Sequence, residues 1–259
     1  MALTKTQISE LYVSIFNRAS EKSGSQNWLN SGYNTDATTM ANAMLADAAA
    51  KEYFGTSLLT DAAFVEHIYA NTLNKGGADV DAAGKAGWVE FLATGASRGE
   101  MVAKMIEAIK EYQVGGAKYA TADQATKDAA QQFDNRVKVS DYTADTLETI
   151  AVSEIDSKLS FSSALTVTAN PATIDSAKAT IDAANPANVG KTFTLTNSAT
   201  ADTIIGTAKN DTINGASGTV KEDDIIIDQS TTDNDTANLV LTANYKPTKI
   251  GRASCRERV

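Results

Sequence analysis

The chain has 259 residues, 42% of them hydrophobic and 21% charged, with a formal net charge of −9 and an isoelectric point near 4.7. That length supports one large or two modest domains, and that apolar fraction supports a real core, so wholesale disorder is not expected. The acidic balance argues against a phosphate-gripping surface of the kind nucleic acid needs, and no apolar run approaches the length of a membrane-spanning helix.

Helix formers dominate up to about residue 160, and the first proline is Pro171. Met1-Ala-Leu-Thr-Lys5 lacks the regions of a conventional signal peptide and leads straight into an amphipathic helix. Ile8, Leu11, Tyr12, Ile15 and Phe16 form its apolar stripe, and Thr4 with Gln7 predicts a capping box at its start. A second stripe runs through Met101, Val102, Met105, Ile106 and Ile109, opened by Ser97-x-x-Glu100. Between the stripes the sequence repeats itself. Leu11-Tyr-Val-Ser-Ile-Phe-Asn-Arg-Ala19 matches Ile68-Tyr-Ala-Asn-Thr-Leu-Asn-Lys75, and each is followed by a glycine and then a tryptophan, Gly24 to Trp28 and Gly84 to Trp88. Two helical repeats, about 4–55 and 61–113, are therefore expected to pack into a bundle whose Tyr and Trp rings fill the centre. Further helices complete a domain over 1–185.

Asn185-Pro186-Ala-Asn-Val-Gly190 punctuates the chain. Beyond it Thr, Ser, Asn, Asp and Val take over, and Lys191–Thr196 and Ala237–Thr242 read as strands. Asp202-Thr-Ile and Asp211-Thr-Ile stand nine residues apart, each followed by glycine two residues on. Such a period with Asp, Gly and β-branched residues is how calcium-binding β-roll coils are written. The expected fold is mainly α, a helical bundle followed over 190–249 by a short, incomplete β-roll or β-solenoid-like segment that opens a longer secreted protein. The final stretch, 250–259, differs in composition. It holds the only cysteine, Cys255, and three of the six arginines. One permitted back-translation resembles a sequencing adapter, so the stretch is expected to be an artefact outside the fold.

Calcium takes several oxygen ligands. Asp202, Asn210, Asp211, Asp223, Asp224 and Asp228 are the candidates, with Asp233 and Asp235 beyond them. The alternative is turn chemistry, which favours Asp and Asn without any metal. Asp79-Val-Asp81 imitates the opening of a calcium loop, but a helix N-cap by Asp81 fits better. His67, the sole histidine, reads as a packed or exposed helix residue rather than a ligand. Zinc and thiol chemistry lack residues, and neither a nucleophile elbow nor a phosphate loop is present, which argues against an enzyme.

The pattern Leu-Tyr…Asn-Arg-Ala…Gly…Trp-Leu resembles a small tandem domain of bacterial surface and hemolysin-type proteins, distantly like the phycobilisome linker domain. Gln132-Phe-Asp-Asn-Arg-Val-Lys-Val-Ser-Asp-Tyr142 is similar to a segment following that domain in surface-layer proteins, and Phe193–Gly215 to the start of their β-repeat region. In this order the parts resemble surface array (S-layer) proteins of the campylobacter kind. The resemblance implies an N-terminal region that anchors a lattice to lipopolysaccharide O-chains. It also implies calcium-dependent self-association, type I secretion and a place on the outside of a Gram-negative cell. Arg18 and Lys22 could then meet lipopolysaccharide phosphates, and Trp28 and Trp88 could stack on sugars, although their matched positions favour core packing. The sequence departs from the calcium-repeat pattern Gly-Gly-x-Gly-x-Asp, because Gly215 and Gly218 stand alone. A secreted hemolysin-type toxin or hydrolase, and a linker domain that binds protein, are the alternatives.

Overall fold

A computed structural model describes residues 2–75, 81–147, 154–185, 189–228 and 235–241. These form mainly helices, with a few short strands. The chain divides at Asp182–Ala183 into two compact units. The tail at 250–259, Asp79 and Asp233 lie outside the described residues.

The first unit opens with α1 (Lys5–Phe16), α2 (Lys22–Leu29) and α3 (Ala37–Ala46), followed by α4 (Ala48–Phe54) and a 3-10 turn at Gly55–Leu58. Then α5 (Asp61–Leu73), α6 (Ala82–Ala93) and α7 (Arg98–Lys110) repeat the order of α1–α3. The starts are set by side-chain oxygens. Thr4 and Gln7 complete the expected capping box on α1, and Thr60, Asp81 and Ser97 cap α5, α6 and α7. Asp81 thus serves as an N-cap, accepting from the amides of Ala83 and Gly84.

Helices α3 and α7 approach closely where Gly99 meets Asn42. The Gly99 N–H donates to Asn42 Oδ1 at 3.0 Å, and a Cβ at Gly99 would lie 2.6 Å from the Asn42 backbone nitrogen. Met40 and Met44 of α3, and Met101 and Met105 of α7, are buried at equivalent turns of the two repeats. Long α8 (Gln124–Thr146), short α9 (Ile155–Leu159) and α10 (Ala172–Ala184) complete the unit. Phe133 and Val137 of α8, with Leu159, Phe161 and Ile181, join the same core as the two repeats. Alternating tight caps and buried stripes explain why the repeats were visible in the sequence.

The second unit contains β1 (Val189–Thr194), β2 (Thr203–Ile205), β3 (Asn210–Gly215), β4 (Ile225–Ile227) and β5 (Thr236–Leu239). Odd strands form one parallel sheet in the order β1-β3-β5, and β2 pairs parallel with β4 in another. Consecutive strands therefore alternate between sheets. Leu195, Ile204 and Ile213 make the buried core, with Phe193, Val220, Ile226 and Leu239 packed around it. Ile205, Ile225 and Ile227 face outward and are about half exposed.

Candidate functional site

The aromatic pairs of the two repeats occupy matching places. Tyr12 and Tyr69 are buried, and Trp28 stands beside the Tyr12 phenol as Trp88 does beside that of Tyr69. A Cβ at Gly24 would lie 2.5 Å from the Tyr12 hydroxyl, and one at Gly84 would lie 2.6 Å from that of Tyr69. Both glycines therefore make room for a tyrosine hydroxyl. An acid stands beside each, Glu21 at Gly24 and Asp81 at Gly84. Burial, then the neighbouring Glu21 charge, pushes the Tyr12 phenol well above its ordinary range, while Arg18 pulls the other way. The expectation that both ring types fill the centre needs correction. The tyrosines do, whereas the tryptophans are half-buried against the rim of the core.

Arg18 does not stand on an exposed rim. It is 8% exposed, pairs with Glu21 at 2.8 Å and lies over the Tyr12 and Phe16 rings at 5.2 and 5.4 Å. Its charge is already matched inside the fold. Lys22 is half-buried, and its backbone N–H donates to the Leu147 carbonyl at 3.0 Å, tying α2 to the end of α8.

A residue without an assigned role in the sequence organises this region. Arg136 of α8 is 3% exposed. It donates to Asn17 Oδ1 and Asn74 Oδ1, each at 3.3 Å, and to the Asn71 carbonyl at 3.1 Å, and it lies 5.3 Å from the Phe161 ring centre. No carboxylate answers it among these contacts, and burial lowers its pKa to about 10. The carbonyl-rich C-termini of α1 and α5 supply the compensating partial negative charge.

His67 is partly buried. Its ring stacks on Phe54 at 4.3 Å, and Nδ1 lies 3.2 Å from Ser57 Oγ. Burial lowers its pKa below the ordinary 6.5, which keeps it neutral near pH 7. It serves packing, as its place on a helix implied.

In the second unit three of the candidate calcium ligands, Asp202, Asp211 and Asp224, accept hydrogen bonds from backbone amides. Asp211 and Asp224 each receive one N–H from a nearby loop residue and one from a residue about twenty positions earlier. Asp211 accepts from Thr207 N–H and, at 2.5 Å, from Lys191 N–H. Asp224 accepts from Lys221 N–H and Asp202 N–H, both at 2.8 Å. Asp202 accepts from Thr196 N–H at 2.6 Å, and Asp235 from Asp211 N–H at 2.9 Å. The longer bonds span 20, 22 and 24 residues. Asp223 and Asp224 fall in the turn before β4, not on a strand. Asn210 begins β3. Asp228 shares a neighbour with Asp211, since a Cβ at Gly206 would lie 3.1 Å from an oxygen of each. Among the described residues, no group of three or more acids, histidines or cysteines is drawn together in a metal-holding arrangement.

An open groove of about 530 Å³ runs between the N-terminus of α1, α8 and α10. Lys5, Lys138, Asp141 and Tyr142 line one side, and Ile174, Asp175 and Lys178 the other. Tyr142 donates to Asp182 Oδ1 at 2.6 Å, and its phenol is pushed up to about 12 by burial and by that carboxylate. The groove went unread in the sequence because α8 and α10 bring together residues far apart in the chain.

A family model matches residues 41–113. Its description is a domain of unknown function, DUF4214. The match runs from within α3 to just past α7, so it takes in the second repeat and the α3–α7 contact at Asn42 and Gly99. No curated protein and no solved structure matches the chain. No helix among the described residues is long and apolar enough to cross a membrane.

Proposed function

We propose that this chain is the anchoring part of a bacterial surface-layer protein, with a helical unit that holds lipopolysaccharide O-chains and a β-roll that serves calcium-assisted assembly. The order of parts carries the reading. A duplicated helical unit precedes parallel strands that alternate between two sheets, with acids spaced 20, 22 and 24 residues apart from their partners in the preceding coil. Alternating short parallel strands of this kind are the signature of a β-roll or solenoid, whose coils stack on one another. The role is structural rather than catalytic, and the protein works outside a Gram-negative cell after type I secretion. Weak attachment per copy becomes firm when many copies join in a lattice.

Calcium is supported by the placing of Asp202, Asp223, Asp224 and Asp228 outside the strands, and by Asp211 of β3 and Asp228 both lying beside Gly206. The residues that would hold the ion there are Asp202, Asn210, Asp211, Asp223, Asp224 and Asp228. The ion would neutralise stacked negative charge and favour self-association.

The test is retention on cells. Added protein should coat calcium-washed cells that carry O-chains and should wash off cells whose O-chains have been removed chemically. Equal coating of both would contradict a glycan anchor and point to a protein partner.

A further inference from the structure

We propose that the groove between α1, α8 and α10 is a saccharide site that takes a short run of neutral sugar rings; this rests on the glycan-anchoring reading above and gives it a location. A sugar offers hydroxyls that both donate and accept, and a ring face that is apolar. A site for it needs donors and acceptors in near parity beside a flat apolar surface. This groove has that composition. Lys5, Lys138 and Lys178 supply donors, and Asp141, Asp145 and Asp175 supply acceptors. Tyr142, Pro171 and Ile174 supply the apolar part. Its volume of about 530 Å³ lies in the range of small-molecule sites.

The parity also selects against other ligands. A polyanion would meet three carboxylates, a metal ion would meet three ammonium groups, and a lipid chain would meet charged walls on both sides. The walls are held in place. Lys5 pairs with Asp145, Lys138 pairs with Asp134 at 2.7 Å, and Thr6 donates to Asp141 at 2.7 Å. An ammonium group has three protons and a carboxylate about four lone-pair sites, so each paired group keeps bonds to offer. The Lys178 ammonium lies 5.1 Å from the Tyr142 ring centre, which sets a donor beside the aromatic surface. Both walls are helices of one compact unit, so the geometry is fixed before a ligand arrives.

A smaller cavity fits less well. It holds about 250 Å³ between α3 and α7, with Asp36, Glu100 and Glu107 against Lys104, and no aromatic ring lines it. Trp28 and Trp88, whose matched positions favoured core packing over sugar stacking, are half-buried against the core beside Tyr12 and Tyr69.

The experiment is calorimetry on the full chain with delipidated O-chain polysaccharide, using wild type, Asp175→Ala/Lys178→Ala and, as control, Glu107→Ala. Asp175 is exposed and Lys178 half-exposed, so the double variant should melt like wild type. The result expected is binding by wild type and control, at least tenfold weaker in the double variant, and changed little between low and moderate salt. Equal binding by the double variant would overturn the groove while leaving the anchor reading intact. Binding that collapses with salt would mark phosphate contacts and overturn the neutral-saccharide class. No binding by wild type would overturn the anchor reading, and this inference with it.

Discussion

Asn17 and Asn74 end equivalent helices in the same left-handed conformation, with φ of 48° and 54°, and both present a side-chain oxygen to the guanidinium of Arg136. They are the non-glycine residues at positive φ among those described, and asparagine tolerates that region better than most. One buried cation from α8 thus locks the C-termini of α1 and α5, the first helix of each repeat. The same cluster includes Asn71, whose side chain donates to the Ser14 and Ile15 carbonyls and accepts from the Tyr53 hydroxyl.

Arg136→Ala should cost about 3–5 kcal/mol, because it removes buried charged hydrogen bonds and leaves a cavity beside unsatisfied amide oxygens. Arg136→Lys should recover only part, since an ammonium cannot span two asparagines in a plane. Urea unfolding followed by tryptophan fluorescence measures this, as Trp28 and Trp88 both report on the helical unit. A loss below about 1 kcal/mol in Arg136→Ala would contradict the lock.

Gly24→Ala and Gly84→Ala should destabilise, although alanine in an ordinary helix interior gains about 1 kcal/mol over glycine. The added methyl at Gly24 meets the Tyr12 hydroxyl and Glu21, and that at Gly84 meets the Tyr69 hydroxyl and Asp81. A cost of about 1–3 kcal/mol is expected for each. Tyr69→Phe should relieve most of it in the Gly84→Ala background, and thermal melts of the single and double variants measure that coupling.

Much of the helical unit was legible because local rules and tertiary packing agree there. Thr4, Asp81 and Ser97 are caps in both sequence and structure, and the stripe from Ile8 to Phe16 is buried along its length. The strands at β1 and β5 were also visible, shifted by a residue or more at their ends. Arg136 was hidden because its partners come from three segments, and an arginine in a polar helix reads as surface. The burial of Arg18 is hidden for the same reason, since it depends on Glu21 and the two rings around it. The amide bonds of Asp211, Asp224 and Asp235 are not legible in the sequence, because each reaches a residue 20, 22 or 24 positions away and depends on the strand register.

Asp211→Ala should unfold the second unit selectively. Its buried hydrophobic core rests on Leu195, Ile204 and Ile213, worth about 1.5–3 kcal/mol each when fully buried, so a carboxylate gripping two amides and the Thr207 hydroxyl is a large share of what holds it. Loss of amide-exchange protection over 189–228 with unchanged tryptophan fluorescence is the expected outcome. Asp211→Asn should fall between, because an amide oxygen accepts at only one of the two sides.

Acid should melt the second unit before the first. Asp202 lies below the ordinary aspartate value of 3.8 because the Thr196 amide and hydroxyl favour its charged form, against some desolvation. For Asp211, desolvation pushes upward, but the Thr207 and Lys191 amides outweigh it. A depressed carboxylate pKa gives stability that is present above the unfolded value and is lost as pH falls through the folded one. The contribution should be intact at pH 6 and decline below about pH 4. Amide exchange at pH 5 and pH 3 checks this, with early opening of the helical unit as the contrary result.

The measurement that bears most directly on the account is binding of the full chain to purified lipopolysaccharide with and without O-chain, in calcium and in chelator. The account predicts saturable binding that requires the O-chain, survives chelation at low protein concentration and becomes tighter with calcium as copies associate. Binding that ignores the O-chain, or no binding by a protein whose circular dichroism reports intact helices, would contradict it.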